Sequence, residues 1–518
     1  MAKPIAPDYG QQFLLPPALE DWVPSDHPAR FLREFVDQLD LGALGFVIPD
    51  GSEGRPPFAT GLLLKIWLYG YFQRIRSCRK LEAATRDHLA LLWLAGMIQP
   101  DHNTLWRFWR DNKKAIRKLF KQTVELANRA GAIGLVLQAL DGTKIAACAS
   151  SHKGWSKEYM EKVLAQLDEV LDETELKLAQ ENEQGPGGYR LPAGLAQREA
   201  LRQEIKAGLA QLAADERAHY HPVEPEARRM RISGESNRFG YNAQVVVDSQ
   251  EGVVVACEVT RQENDAGQLG PMIQQAAENV GPALSQQTVT LADTGYGAGA
   301  DLATAAQQQA AVLVHPAEGK PAKDNPYAAQ HFRYDPTAHE VTCPQGQVLR
   351  FEGRTHKREM LVERFRCHCQ DCPVQTQCTK DPKGRQIEVW PFTTVVQEMR
   401  EKLKSPAARE QLSQRGGIVE RCFGQIKQHD GFRRWTLWGL ESVQAQWAMV
   451  CTTMNLRVLY KRWLTGRSPR SPKEVALIAA ISQSTAALMA QIHSKIASCT
   501  GGIRRILQIR ALSPIHRH

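Results

Sequence analysis

Three acidic residues stand in contexts that fit one active site divided along the chain: Asp141 in LVLQALDGTK, Asp293 in TVTLADTGYG and Glu420 in GGIVERCFGQIKQ. Each aspartate closes an apolar run rich in β-branched residues and is followed by Gly or Thr-Gly, which places it at the exposed end of a buried strand. Glu420 lies in a helical pattern. Val419, Cys422, Phe423 and Ile426 form an apolar stripe there, and Glu420, Gly424 and Lys427 share the adjoining face. The spacing from Glu420 to Lys427 is about two turns, or roughly 10 Å of rise, so both can meet one phosphate strand at successive levels. Two strand-end carboxylates and one from a helix can hold a pair of Mg²⁺ or Mn²⁺ ions for in-line displacement at phosphorus. Alone, each aspartate would read as a turn former or cap, and the Glu-Lys pair as the wet face of an amphipathic helix. Their combination points to nuclease chemistry. Asp248 and Asp265 also follow strand-like runs, where each is either a turn former or a further carboxylate of the site.

The elements that would carry these residues form an α/β pattern. GLVLQALDG, the hairpin-like pair GYNAQVVVDSQ and GVVVACEVTR, then TVTLADTG and AAVLVHPA read as strands, with a helical PMIQQAAENVG before the fourth. Three strands, a helix, a strand, a short helix, a strand and the Glu420 helix is the order of a ribonuclease H-like core. Two insertions interrupt it. Between residues 156 and 218, Met160, Val163, Leu164, Leu167 and Leu171 share one helical face and Leu201, Ile205, Leu209 and Leu212 another, with GPGG at Gly185 to Gly188 to turn the chain back. The second insertion, about 321–391, is Cys-rich and strand-like. The chain so divides into an all-α helix-turn-helix-like segment (1–131), the catalytic domain (132–464) and a basic helical tail (465–518).

The 518 residues carry a formal charge of +9, unevenly distributed. From Thr60 to Ala130 there are fourteen Lys and Arg against five Asp and Glu, whereas Trp155 to Ala218 has eight against thirteen. The basic stretch ends in DHNTLWRFWRDNKKAIRKLFKQTVELANRAG, read as one helix capped by Asp101 and ended by Gly131. Leu105, Phe108 and Trp109 fit its buried face, while Asn103, Thr104, Arg107, Arg110, Lys113, Lys114, Arg117 and Lys118 are candidate contacts to double-stranded DNA. An ordinary helical bundle with a solvated basic face fits the same spacing. Arg433 and Arg434 in GFRRWTLWG offer a second DNA contact, although Trp435 and Trp438 there are equally candidates for the core. The beginning lacks a signal-peptide pattern and no apolar run reaches the length of a membrane span, so a cytoplasmic protein without membrane contact is expected.

Of eleven cysteines, five fall between Cys343 and Cys378, a distribution unlike a secreted disulfide framework. Cys343, Cys369, Cys372 and Cys378 offer four thiolates for a structural Zn²⁺, with Cys367 a rival ligand and reduced, half-buried thiols the alternative. GYGAGAD after Asp293 fails as a dinucleotide loop because Ala300 stands at the third Gly position.

ALDGT, LADTGYG and RGGIVERCFGQIK resemble the three catalytic motifs of DDE transposases from bacterial insertion sequences, including E-x₆-K at Glu420 and Lys427. GYNAQVVVD, VTRQENDAG and the Cys-rich insertion are similar to the subgroup typified by insertion sequence eleven-eighty-two, and the likeness spans about Asp21 to Leu464. It implies that Asp141, Asp293 and Glu420 hold two metal ions and that Lys427 contacts DNA phosphate. It implies a further contact from Arg415, which sits five residues before Glu420 where the family pattern has four. A homodimer or higher oligomer on DNA is also implied. A transposase-derived DNA-binding regulator and a repair nuclease of the same fold are the alternatives.

Overall fold

A computed structural model describes residues 18–49, 56–182, 193–232, 237–281, 288–317, 325–367, 369 and 372–467. The GPGG turn and most of the 465–518 tail expected from the sequence lie outside these residues. The chain divides into two compact units, Met1–Val458 and Leu459–His518. In the second, the described part is a helix end in which Tyr460 and Trp463 stack with ring centroids 6.0 Å apart. No helix among the described residues is long and apolar enough to cross a membrane.

The basic N-terminal stretch is built on α2 (Thr60–Phe72), which is apolar on every side and buries Leu64, Ile66, Trp67, Leu68 and Tyr69. A helix with that composition must be wrapped by others. Around it lie α1 (Pro28–Asp37), α3 (Cys78–Asp87), α4 (Leu89–Leu94) and α5 (His102–Asp111), and α6 (Lys113–Arg129) follows and packs on the rest of the unit. Asp101 caps α5, accepting from the Thr104 amide at 2.6 Å. The single helix expected from Asp101 to Gly131 is broken at Asn112, whose backbone leaves helical geometry (φ −117°, ψ 16°). The buried Asn112 side chain accepts from the Val47 amide at 2.7 Å and donates to the Phe108 carbonyl at 2.8 Å. The Phe108 bond is a local alternative to the helix ladder, and the Val47 bond holds Asn112 from a distant segment.

Among the described residues the main sheet has six strands. Its centre is β1 (Leu137–Ala146), and two short strands, β2 (Trp155–Ser156) and β3 (His219–Tyr220), form a separate pair. The main sheet continues with β4 (Arg228–Arg231), β5 (Asn237–Asp248), β6 (Val254–Thr260), β7 (Val289–Leu291) and β8 (Val312–Leu313). β5 pairs antiparallel with β1 from Gln138↔Asp248 to Ala146↔Gly240 and carries β4 and β6 on its other edge. β7 runs parallel to β1 over Leu137–Ala139 only, and β8 lies parallel to β7. The strand order is thus β6-β5-β1-β7-β8, with β5 antiparallel to both β1 and β6. Buried on both faces, β5 reads as a run of apolar residues interrupted by Asn242 and Gln244, both fully buried.

Two further helices, α7 (Lys157–Asn182) and α8 (Ala193–Ala214), pack antiparallel through Met160, Ile205 and Leu212, and Arg202 bonds Asp168 across them. β6 is followed by α9 (Leu269–Val280), and β7 by α10 (Gly299–Gln307). A second, five-stranded antiparallel sheet comprises β9 (Arg333–Asp335), β10 (Glu340–Thr342), β11 (Val348–Lys357), β12 (Met360–Arg366) and, after the short α11 (Gln375–Cys378), β13 (Gln386–Val389). Phe332, Val341, Leu349, Phe365 and Ile387 form its core. The chain returns through α12 (Thr393–Lys404), α13 (Pro406–Ser413) and α14 (Arg415–Gly424), the last packing on β1 and β5. A π-helical turn, Gln425–His429, prolongs α14, and α15 (Leu440–Arg467) ends the described chain.

Candidate active site

Asp141 stands in the middle of β1 and not at its end, because β5 pairs with the whole strand. What ends near Asp141 is the neighbour on the other side. The β1–β7 ladder stops at Ala139↔Leu291, and Asp141 and Asp293 each lie two residues beyond it. Continuing that parallel register sets the two aspartates level and on one face. Asp293 opens a 3₁₀ turn, Thr294–Tyr296, and accepts from the Gly295 amide at 2.8 Å. Asp141 accepts from the Gly142 amide at 2.8 Å and from Arg415 Nη1 at 2.9 Å. Burial pushes the Asp141 carboxyl above the usual range, Arg415 and the Gly142 amide oppose that, and Asp293 adds to it.

A third carboxylate adjoins the pair. Asp265 Oδ1 accepts from Asn242 Nδ2 at 2.8 Å and from Gln244 Nε2 at 2.7 Å. A Cβ built on Gly295 would lie 2.9 Å from Asp293 Oδ1 and 3.3 Å from Asp265 Oδ2, so those oxygens are near neighbours. The fully buried Tyr296 donates its hydroxyl to Gln244, and its pKa is pushed up by burial first and then by Asp265, Asp141 and Asp293. Gly142 allows this crowding, since a Cβ there would stand 2.4 Å from both Asp265 Oδ1 and Gln244 Nε2. The sequence signal for this network was the amides of Asn242 and Gln244 within an otherwise apolar strand. Asp248 lies elsewhere on β5, where its buried carboxylate accepts from the amides of Gly134, Leu135 and Gln250 at 3.0, 3.3 and 2.9 Å. That set is a turn clamp.

The helix brings Lys427 and Glu420 to different environments. α14 gives way to the π turn before Lys427, and the wider turn shifts the phase expected of an unbroken α-helix. Lys427 is half-buried. Burial and then Arg433 lower its pKa, while Asp141 acts in the opposite direction, which places the amine within electrostatic reach of Asp141. Glu420 is exposed, with Oε1 lying 3.4 Å from where a Cβ on Gly416 would stand. Among the described residues no group of three His, Cys, Asp or Glu side chains is gathered closely enough to hold a metal ion. Asp430, missed in the sequence, anchors the end of the π turn: its buried carboxylate pairs with Arg457 and accepts from Gln425 Nε2 at 3.1 Å.

Of the expected DNA contacts, Asn103, Arg107, Arg110, Lys114 and Lys118 are exposed on α5 and α6 and Thr104 is half-buried. Lys113 and Arg117 are half-buried and engaged: Lys113 pairs with Glu441 at 3.1 Å and Arg117 with Glu258 at 2.6 Å, tying α6 to α15 and β6. Arg434 donates to the Ala147 and Ala149 carbonyls at 3.0 and 3.3 Å, and Arg433 to the Lys427 carbonyl at 3.2 Å, so both brace the chain beside the site. Trp435 is core at 1% exposure and Trp438 is exposed at 57%. Cys343, Cys367, Cys369, Cys372 and Cys378 line one small cavity with Arg385. Cys343 Sγ accepts from the amides of Gln345 and Gln347 at 3.3 and 3.2 Å, and burial and neighbouring thiols push Cys367 up to about 12.

The geometry therefore presents the carboxylates of Asp141, Asp265 and Asp293 acting on one buried tyrosine, a half-buried Lys427 on which Asp141 acts electrostatically, and a basic helical region elsewhere in the same unit. No curated protein matches the chain. Two family models do: a transposase domain (DUF772) over residues 17–111, which spans α1 to α5, and a transposase DDE domain over residues 342–460, which includes Glu420 and Lys427. Both are transposase families, and together they support a DDE transposase.

Proposed function

We propose that the chain cuts and rejoins DNA at the ends of an insertion sequence, using a ribonuclease H-like core in which Asp141 and Asp293 are the principal metal ligands. The observation that carries this is that Asp141 and Asp293 each follow the last pair of the β1–β7 ladder by two residues, with Asp293 acting electrostatically on the Asp141 carboxyl. The strand order β6-β5-β1-β7-β8, with α14 packed on β1, supports the same fold. Hard carboxylate oxygens suit Mg²⁺ or Mn²⁺, and two such ions would lower the pKa of an attacking water or 3′-hydroxyl and offset charge at the phosphorus. Asp141 would offer the oxygen that Arg415 now occupies, and Glu420 would complete the set by turning inward from α14. Lys427 would hold a phosphate oxygen from the other side. Because displacement at phosphorus needs positioning and positive charge more than covalent help, the rigid β1–β5 ladder suits the task.

DNA would be held by the exposed cations of α5 and α6, with two or more copies of the chain assembling on the paired ends. The helix-turn-helix-like reading rests on α5, whose first turn presents Asn103 and Thr104. We infer in addition that the Cys lobe takes a structural Zn²⁺ through Cys343, Cys369, Cys372 and Cys378, supported by the thiols lining one cavity and by the amide donors on Cys343. Purified protein incubated with DNA carrying the ends of its own encoding element should nick them in Mg²⁺ and not in chelator. Binding without any nicking in Mg²⁺ or Mn²⁺ would instead favour a non-catalytic regulator.

A further inference from the structure

Away from the aspartates, a cleft of about 680 Å³ opens between the N-terminal helices and the chain entering α15. Its chemistry is unusual for a protein surface. Trp106 from α5 is 46% exposed and Trp438 from the facing segment is 57% exposed, and both line the cleft. Arg76, Arg79 and Arg110 line it as well, with the Arg110 guanidinium 5.1 Å from the centre of the Trp106 ring. Its inner wall includes Trp109, only 3% exposed and held by a parallel stack on Tyr71 with centroids 5.8 Å apart. Trp109 Nε1 is buried with no hydrogen-bond partner in the structure, and so is Arg76 Nε. Both atoms are closed off from solvent, so what the cleft presents to a ligand is the two exposed indoles with Arg79 and Arg110.

We propose that this cleft binds an unpaired nucleotide of a DNA strand, with the base stacked on Trp106 or Trp438 and its phosphate met by Arg79 and Arg110. Bases offer a π face to any aromatic ring and a phosphate offers charge, which is the pairing that single-strand sites use. The proposal rests on the DNA-processing reading for its biological setting but not for its measurement. Position adds a detail. Cys148, which also lines the cleft, lies beyond the end of β1, and Asp141 to Ala146 alone spans about 17 Å at the usual strand rise.

The test uses the full chain and a ten-nucleotide oligothymidylate, followed by fluorescence anisotropy at moderate salt. The double variant Trp106→Ala, Trp438→Ala removes two exposed rings, so its melting temperature should stay close to the parent. Single-strand affinity should fall at least tenfold, as loss of a stacked base predicts, while affinity for a random duplex changes less than twofold. Equal affinity of parent and double variant for the oligonucleotide would overturn the proposal. So would an equal loss on the duplex, which would mark the rings as part of a general backbone surface. Asp141→Asn serves as the separating control: if it binds the oligonucleotide normally and neither protein cleaves DNA, the cleft stands and only the nuclease reading falls.

Discussion

Removing the Asp430 carboxylate should unfasten the helix that carries Lys427, and the structure sets the scale. Asp430 is 7% exposed and answers four groups unequally. Arg74 at 3.6 Å and His429 at 3.2 Å are 47% and 60% exposed, so each contributes at most a few tenths of a kcal/mol. Arg457, 18% exposed, dominates: without Asp430 its guanidinium retains no anion, only the Phe72 carbonyl at 3.1 Å, the Met454 sulfur at 3.8 Å and the face of the Phe72 ring at 5.2 Å. Stripping one partner from a buried pair costs about 3–5 kcal/mol, and the residual exposure of Arg457 lowers that to roughly 2–4 kcal/mol for Asp430→Ala. Asp430→Asn keeps an acceptor and should cost about half as much. Urea unfolding at low and high salt measures both, and the loss should be nearly independent of salt because the pair is buried. The cycle with Arg457→Met should recover most of the loss, the unpaired cation having gone. A loss below about 0.5 kcal/mol for Asp430→Ala, or one that vanishes in high salt, would refute this reasoning.

Other outcomes follow from the same geometry. Lys427→Met should abolish cleavage yet stabilise the protein at neutral pH: burial holds the amine below the ordinary 10.5, so the cost of burying its charge is fully present below the folded pKa and fades as pH rises toward 10.5; melting curves of parent and variant should converge in alkali. Gly142→Ala forces a methyl to within 2.4 Å of Asp265 Oδ1 and Gln244 Nε2, for a destabilisation of about 1–3 kcal/mol by denaturant titration and a larger fractional loss of cleavage. Elemental analysis of chelator-free protein should find close to one zinc per chain, and less than about 0.2 would leave packed free thiols as the better description of the Cys lobe.

Much of the frame was legible because its signals are local. The apolar runs around Gln138–Leu140, Val245–Val247 and Val289–Leu291 are strands, and the Met160 and Ile205 stripes meet between α7 and α8. The site was less so, since its geometry depends on pairing over long separations. Nothing near Asp141 shows that β1 continues to Ala146, because the partner that holds it there, β5, lies about a hundred residues away. The engagement of Lys113 and Arg117 depends on Glu441 and Glu258, residues whose proximity no helical wheel reveals. The break at Asn112 likewise involves distant Val47, and the π turn that contains Lys427 is followed by Asp430, which pairs with Arg457 of α15. Asp265 was ambiguous in the sequence and acquires its position only through Asn242 and Gln244.

The central claim is that Asp141 and Asp293 form one metal-dependent phosphoryl-transfer site with Glu420. Single-turnover cleavage of end-labelled element DNA by the parent, Asp141→Asn, Asp293→Asn and Glu420→Gln in Mg²⁺ tests it most directly. Each variant should bind the DNA within about threefold of the parent and cleave it at least a thousandfold more slowly, because groups that act as a unit fail together. Normal cleavage by either aspartate variant would contradict the assignment, and normal cleavage by Glu420→Gln alone would move the third carboxylate to another residue.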